Sequence, residues 1–333
     1  MVDIPSSEDF ISAGKAQFDF SWDIVVSFIK LFDEAGDYNV DVQDGEQDFW
    51  ESAKQRVQTA IAIAQQGVEL ILKGKIVEIS PYLLISGSPS DWPKNNIARG
   101  VSFSEFRTID AQDLVKVYNL FSEHQLNQDF VDKFNVLRKL RNQVMHTVDN
   151  TLRISAIEVI VKILEMHEAL FPDGNWIRTR HDFLMESPVS KLFTTEGTES
   201  VIVWEFYLIF SLLKPAQVQH FFGIDKKQRK YFCPECRYQC IEYNQVEPKY
   251  AVLRPNSATS TDLYCFVCET NHPLIRQSCI DTTCPGNVIS DDEYYICCTC
   301  GLEQELSDPA AAAIPSTLTP SIPIIPPLTT PES

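Results

Sequence analysis

The sequence predicts a mainly α chain. A helical bundle occupies residues 1–215, followed by a basic linker over 216–232, a small β-rich domain over 233–306 and a disordered tail over 307–333. Three observations predict this order. Apolar residues recur at helical spacing through the first part, and no strand-like alternation of any length precedes residue 230. All ten cysteines fall between Cys233 and Cys300. The last stretch, PAAAAIPSTLTPSIPIIPPLTTPES, is proline-rich, poor in charge and without period.

Composition narrows the function classes. With 333 residues and 44% hydrophobic content the chain can bury a sizeable core and hold two domains. A net charge of −18 argues against broad, non-specific phosphate binding. The opening MVDIPSSEDFISAGKAQF has neither a basic nor an apolar leader region, so no signal peptide is expected and a cytoplasmic location is. No membrane association is expected either. The most apolar run, Val201 to Leu213, is too short to span a bilayer and contains Glu205, so it reads as a buried helix ending before Pro215.

The helices follow from periodicity and punctuation. Residues 1–48 carry many acids and a few aromatic anchors, and no element is assigned to them. From Phe49 to Ile79, Trp50, Val57, Ile61, Ala64, Val68 and Ile71 or Leu72 recur on one face of a long amphipathic helix that ends near Pro81. Ser86, Gly87, Ser88, Pro89 and Pro93 mark a loop. Thr108 to Phe121 reads as a shorter helix with Asp110 as a cap. Asn127 to Val148 is a further helix, and Ser155 to Leu170 another, stopped by PDGN.

The cysteines come in pairs. CPEC (Cys233, Cys236) and CFVC (Cys265, Cys268) are two-residue knuckles, CCTC supplies Cys297 and Cys300, and CIDTTC gives the wider pair Cys279 and Cys284. A knuckle offers two thiolates from one tight turn, and Zn²⁺ takes four in a tetrahedron. Four pairs therefore make two four-thiolate zinc sites, and Cys240 and Cys298 are left over. A sequential pairing of knuckles is simplest, and a cross-braced one uses the same residues. The sites are structural and closed in this reading. His272, near Cys268, is the alternative ligand, whereas His124, His167, His181 and His220 have no partner legible in the sequence.

DKKQRKYFCPECRY is the densest basic run in this acidic chain. Lys226, Lys227, Arg229, Lys230 and Arg237 alternate with Tyr231, Phe232 and Tyr238, which suits a single strand of RNA: charge for phosphates and flat faces for bases. A solvated linker between domains has the same composition.

The remaining signal is an arginine where leucine is expected. On an ideal helix Phe130, Phe134, Leu137, Val144 and Val148 share a stripe with Arg141 in its middle. A guanidinium there needs a partner, an interface or an anion. Asn142 and His146, four apart, lie together on a neighbouring strip, so the three side chains converge only where the helix end meets another surface.

Arg141-Asn142-Gln143-Val144-Met145-His146 resembles the R-x4-6-H signature of HEPN domains, all-α modules of prokaryotic toxins, antiviral systems and some eukaryotic ribonucleases. AQQGVELILKGKIVEISPYLLI is similar to the family's second helix, and the loop and FNVLRKLRNQVMH follow in the expected order; the resemblance covers roughly residues 45–170. It implies a metal-independent endoribonuclease acting as a homodimer with a composite cleft, leaving 2′,3′-cyclic phosphate and 5′-hydroxyl ends. His146 would be the general acid or base, Arg141 would stabilise the phosphorane charge, and Asn142 would orient phosphate or histidine. Glu69, beside the apolar face of the long helix, is the candidate partner of Arg141. A defence or toxin effector is the implied biological class, with an inhibitor or sensor protein as a further partner. Two other classes compete. One is a non-catalytic dimer whose ribbons bind nucleic acid or protein. The other, a zinc enzyme, is disfavoured because four-thiolate sites leave no open coordination position.

Overall fold

The computed structural model describes residues 1–37, 42–94, 100–146, 152–192, 198–240 and 249–304. Val148 and the Pro-rich tail lie outside these residues, as does the side chain of Cys240. The unassigned N-terminus is a long helix, α1 (Ser7–Asp37), which runs antiparallel to α2 (Val42–Ile79). Phe18, Trp22, Val25, Val26 and Ile29 make its buried stripe. Exposed Phe20 and Leu31 blur that pattern in the sequence. The two helices approach closely because Gly14 and Gly67 face each other. A Cβ on either would lie 2.8 Å from the other's carbonyl oxygen.

Around this hairpin pack α3 (Ala111–Phe121), α4 (Gln128–His146) and α5 (Ala156–Leu170), each close to its predicted bounds. Asp110 does sit at the N-cap of α3. Its carboxylate pairs with Arg107 at 3.0 Å, however, and makes no cap hydrogen bond. Asn127 Oδ1 accepts from the Phe130 N–H at 2.9 Å and so starts α4. Ser155 and Glu158 form a capping box on α5. Three further helices were not legible in the sequence: α6 (Trp176–Met185), α7 (Pro188–Leu192) and, after α8 (Thr198–Leu212), α9 (Pro215–Phe222).

The expected linker over 216–232 is folded. It holds α9, closed by Gly223 in the left-handed region at φ 67°, and then β1 (Tyr231–Phe232). The short α10 (Pro234–Cys240) follows, then β2 (Lys249–Leu253), β3 (Asp262–Cys265), β4 (Asn271–Ile275) and β5 (Ile289–Ser290). These strands form one antiparallel sheet in sequence order.

This sheet packs onto the bundle. Phe266 lies 4.7 Å from Phe210 of α8, and the Tyr250 hydroxyl donates to the Val203 carbonyl at 2.8 Å. One apolar core runs from α1 through α8 into Tyr250, Val252, Cys265 and Phe266. Among the described residues, Cys279, Ile289 and Cys297 form a separate small cluster.

Glu205, the acid noted in the apolar α8, is paired in the core. It and Arg180 of α6 are each 2% exposed, and the guanidinium reaches both carboxylate oxygens, at 3.0 and 3.1 Å. Asp19 and Asp23 of α1 complete the arginine's shell, while Trp22 Nε1 and Lys30 Nζ also reach Glu205, at 3.2 and 3.3 Å.

Candidate functional site

The end of α4 brings the three motif residues together within one chain. Arg141 Nη1 donates to Asn142 Oδ1 at 3.1 Å and lies 3.5 Å from His146 Nε2. The expectation that these side chains meet only against another surface is therefore corrected: the long guanidinium folds down the helix to the histidine. Arg141 is not in the centre of the buried stripe either. Phe130, Phe134 and Leu137 carry the burial, Leu140 and Val144 continue it, and Arg141 sits half-buried at its edge. The arginine is tolerated because its head reaches solvent.

Glu69 does not pair with Arg141. Its carboxylate accepts from Gln65 Nε2 at 2.5 Å, one turn back along α2. Among the described residues, Arg141 contacts Asn142 and His146.

Beside the motif lies a shallow hollow of about 590 Å³, lined among the described residues by Asn135, Arg138, Lys139, Asn142, Gln143 and His146 of α4. Two cations, an imidazole and three amides make this a local anion-attracting strip on a chain of net charge −18. The exposed Val136 and Met145 lie on the same helix.

The basic run before Cys233 is used largely inside the fold. Lys226 Nζ donates to the Ser211 and Leu213 carbonyls at 3.0 and 2.8 Å, satisfying the last turn of α8. Lys230 Nζ donates to Lys226 O at 3.3 Å, and burial lowers its pKa, as does neighbouring Lys226. Arg229 lies over Tyr231 at 5.2 Å and Arg237 over Phe232 at 4.8 Å. Tyr231 and Phe232 are buried, so neither offers a face to a base. Lys227 and Arg229 remain exposed.

Eight cysteines form two clusters. Cys233, Cys236, Cys265 and Cys268 converge at the start of the sheet, and Cys279, Cys284, Cys297 and Cys300 converge beyond β5, each set within 4.8 Å. The pairing is sequential. Closest sulfurs are 3.6 Å (Cys233 to Cys268) and 3.8 Å (Cys236 to Cys265) apart in the first cluster. They are 3.6 Å (Cys279 to Cys300) and 3.9 Å (Cys284 to Cys297) apart in the second. A disulfide needs about 2.05 Å. A tetrahedron of sulfurs about 2.3 Å from a metal has edges of about 3.8 Å. Both clusters could hold a metal ion.

His272 of β4 flanks the first cluster. Its Nε2 lies 3.2 Å from Cys233 Sγ, and its Nδ1 lies 3.5 Å from Asp292. A ring fixed by a carboxylate on one side and facing thiolates on the other supports a metal site from outside its four ligands. Cys298 belongs to neither cluster: it is buried, and burial pushes its thiol well up.

Comparison with protein-family models, curated proteins and solved structures finds no match. Among the described residues no helix is long and apolar enough to cross a membrane.

Proposed function

We propose that the protein is a metal-independent endoribonuclease of the HEPN type. The observation that carries this reading is the meeting of Arg141, Asn142 and His146 at the solvent-facing end of α4, on a cationic strip of an acidic chain. One phosphodiester fits both groups. The imidazole takes the proton from a ribose 2′-hydroxyl, the 2′-oxygen attacks the adjacent phosphorus, and Arg141 compensates the charge of the pentavalent phosphorane. The bond from phosphorus to the 5′-oxygen then breaks, and that oxygen takes a proton. The products are a 2′,3′-cyclic phosphate and a 5′-hydroxyl. A homodimer supplies a second imidazole for the second proton transfer. The two-fold contact brings the two α4 helices together, and a bridging RNA phosphate relieves repulsion between their cationic strips. Exposed Lys227 and Arg229 are further RNA contacts in this reading. We assign zinc to both four-thiolate clusters, in a structural role, and place the protein in the cytoplasm as a defence or toxin effector restrained by an inhibitor or sensor protein.

A second reading, a non-catalytic binding protein, is favoured by one observation. Among the described residues the contact of His146 is a cation, Arg141, and no carboxylate orients the ring. End-mapping separates the two readings. With total RNA in EDTA, the nuclease leaves 2′,3′-cyclic phosphate and 5′-hydroxyl ends. Intact RNA that is nevertheless retained by the protein supports the binding reading.

A further inference from the structure

A second hollow, of about 400 Å³, opens between the two cysteine clusters. Its walls are Tyr238 of α10, next to the first cluster, and Tyr294 and Tyr295 of the turn that leads into Cys297. Glu293 and Glu303 stand on its rim. Tyr238 is 64% exposed although it stands 5.3 Å from Tyr294, with the ring planes 43° apart. Tyr295 holds a left-handed backbone at φ 41°, a conformation that bulky residues rarely adopt. It is kept there by its N–H on Asp292 O at 3.2 Å and by Gln304, whose N–H donates to Tyr295 O at 2.8 Å. Strain of this kind concentrates where a side chain must be presented in a set direction.

The electrostatics point to a cation. Burial raises the pKa of the Tyr294 hydroxyl, and Glu293, Glu235 and Asp292 add to that rise, so the local field is negative. Among the described residues Arg237 is the one cation of the lining, and it is committed: it lies over Phe232 and its Nε donates to Gly301 O at 3.2 Å. Elsewhere in this domain the chain's own cations seat on aromatic faces, Arg254 over Tyr264 at 3.6 Å and Lys249 over Phe232 at 4.6 Å.

We propose that the hollow between Tyr238, Tyr294 and Tyr295 binds a lysine side chain presented by a basic peptide of a partner protein. Ring faces attract the ammonium, Glu293 and Glu303 neutralise it, and the same carboxylates repel the phosphates of RNA. This inference does not depend on the α4 site and can fail or stand without it.

The test uses the full-length chain and three labelled glycine–serine peptides, with a central lysine, trimethyllysine or glutamine, alongside labelled oligouridine. Fluorescence polarisation should show the lysine and trimethyllysine peptides binding at least about tenfold more tightly than the glutamine peptide. Tyr238→Ala and Glu293→Gln should each remove most of that preference. Both positions are exposed, so circular dichroism and metal content should be unchanged. Equal binding of all three peptides, no binding of any, or full preference retained in both variants overturns the proposal. Tight oligouridine binding that Tyr238→Ala abolishes would make the hollow an RNA site and overturn it as well.

Discussion

Arg180 and Glu205 meet through two hydrogen bonds in the core, 25 residues apart on α6 and α8, and tie both helices to α1 through Asp19 and Asp23. A buried pair of this kind adds little stability over an apolar replacement, but breaking it leaves a charge unpaired. Glu205→Gln should therefore destabilise the fold by about 3 kcal/mol or more, since Arg180 loses its most buried partner. Urea denaturation of wild type and variant measures it, and a loss below about 1 kcal/mol would show that Asp19 and Asp23 suffice.

The same cluster predicts a pH dependence. Burial raises the Asp19 pKa from 3.8 to about 6 against the opposing pull of Arg180, with Asp23 and Glu205 adding to the rise. The folded state thus holds the proton more tightly than the unfolded chain. The stabilising contribution is complete below pH 3.8 and is lost as pH rises through about 6. The ceiling is about 3 kcal/mol, reduced in practice because the carboxylate keeps 19% exposure. The stability of wild type minus that of Asp19→Asn should fall between about pH 4 and pH 7. A flat difference would mean that Asp19 titrates as an ordinary aspartate.

Gly67 predicts a steric cost. Alanine there favours a helix by up to about 1 kcal/mol, but its methyl group would press the Gly14 carbonyl oxygen at 2.8 Å. Separating α1 from α2 should outweigh the gain, for a net loss of about 1–3 kcal/mol. A thermal midpoint at or above that of wild type would show that the hairpin can give.

The two cysteine clusters should respond differently. Cys265 belongs to the core shared with the bundle, whereas Cys284 packs against the small second cluster. Metal analysis should find about two ions per chain. Cys284→Ser should remove one ion and leave the melting of the helices nearly unchanged. Cys265→Ser should remove the other and lower the helical melting temperature too, because α8 loses the support of Phe266. Equal effects on the helices would contradict this division of the core.

The features legible in the sequence are those written in neighbouring residues. Ser155 and Glu158 cap α5 from three positions apart, PDGN stops it, and each cysteine knuckle carries half of a metal site in one turn. What escaped depends on contacts between distant segments. Nothing local in Arg180 announces Glu205, and nothing in Gly14 announces Gly67. The basic run misled for the same reason: Lys226 is used by the carbonyls at the end of α8, and Tyr231 and Phe232 are turned into the core. Periodicity puts Arg141 on α4 but misplaces it in the middle of the buried stripe, where the structure has it at the edge, and nothing local shows that Gln65 holds the Glu69 carboxylate.

The contact between Arg141 and His146 underlies the ribonuclease reading, and one rate comparison tests it most directly. Wild type, His146→Ala and Arg141→Ala are assayed side by side on labelled RNA in EDTA, with circular dichroism confirming that each is folded. Both positions are partly or fully exposed, so neither change should unfold α4. The account predicts cleavage by wild type and a loss of at least about 100-fold in each variant. Equal cleavage by wild type and His146→Ala, or none by wild type, would contradict it.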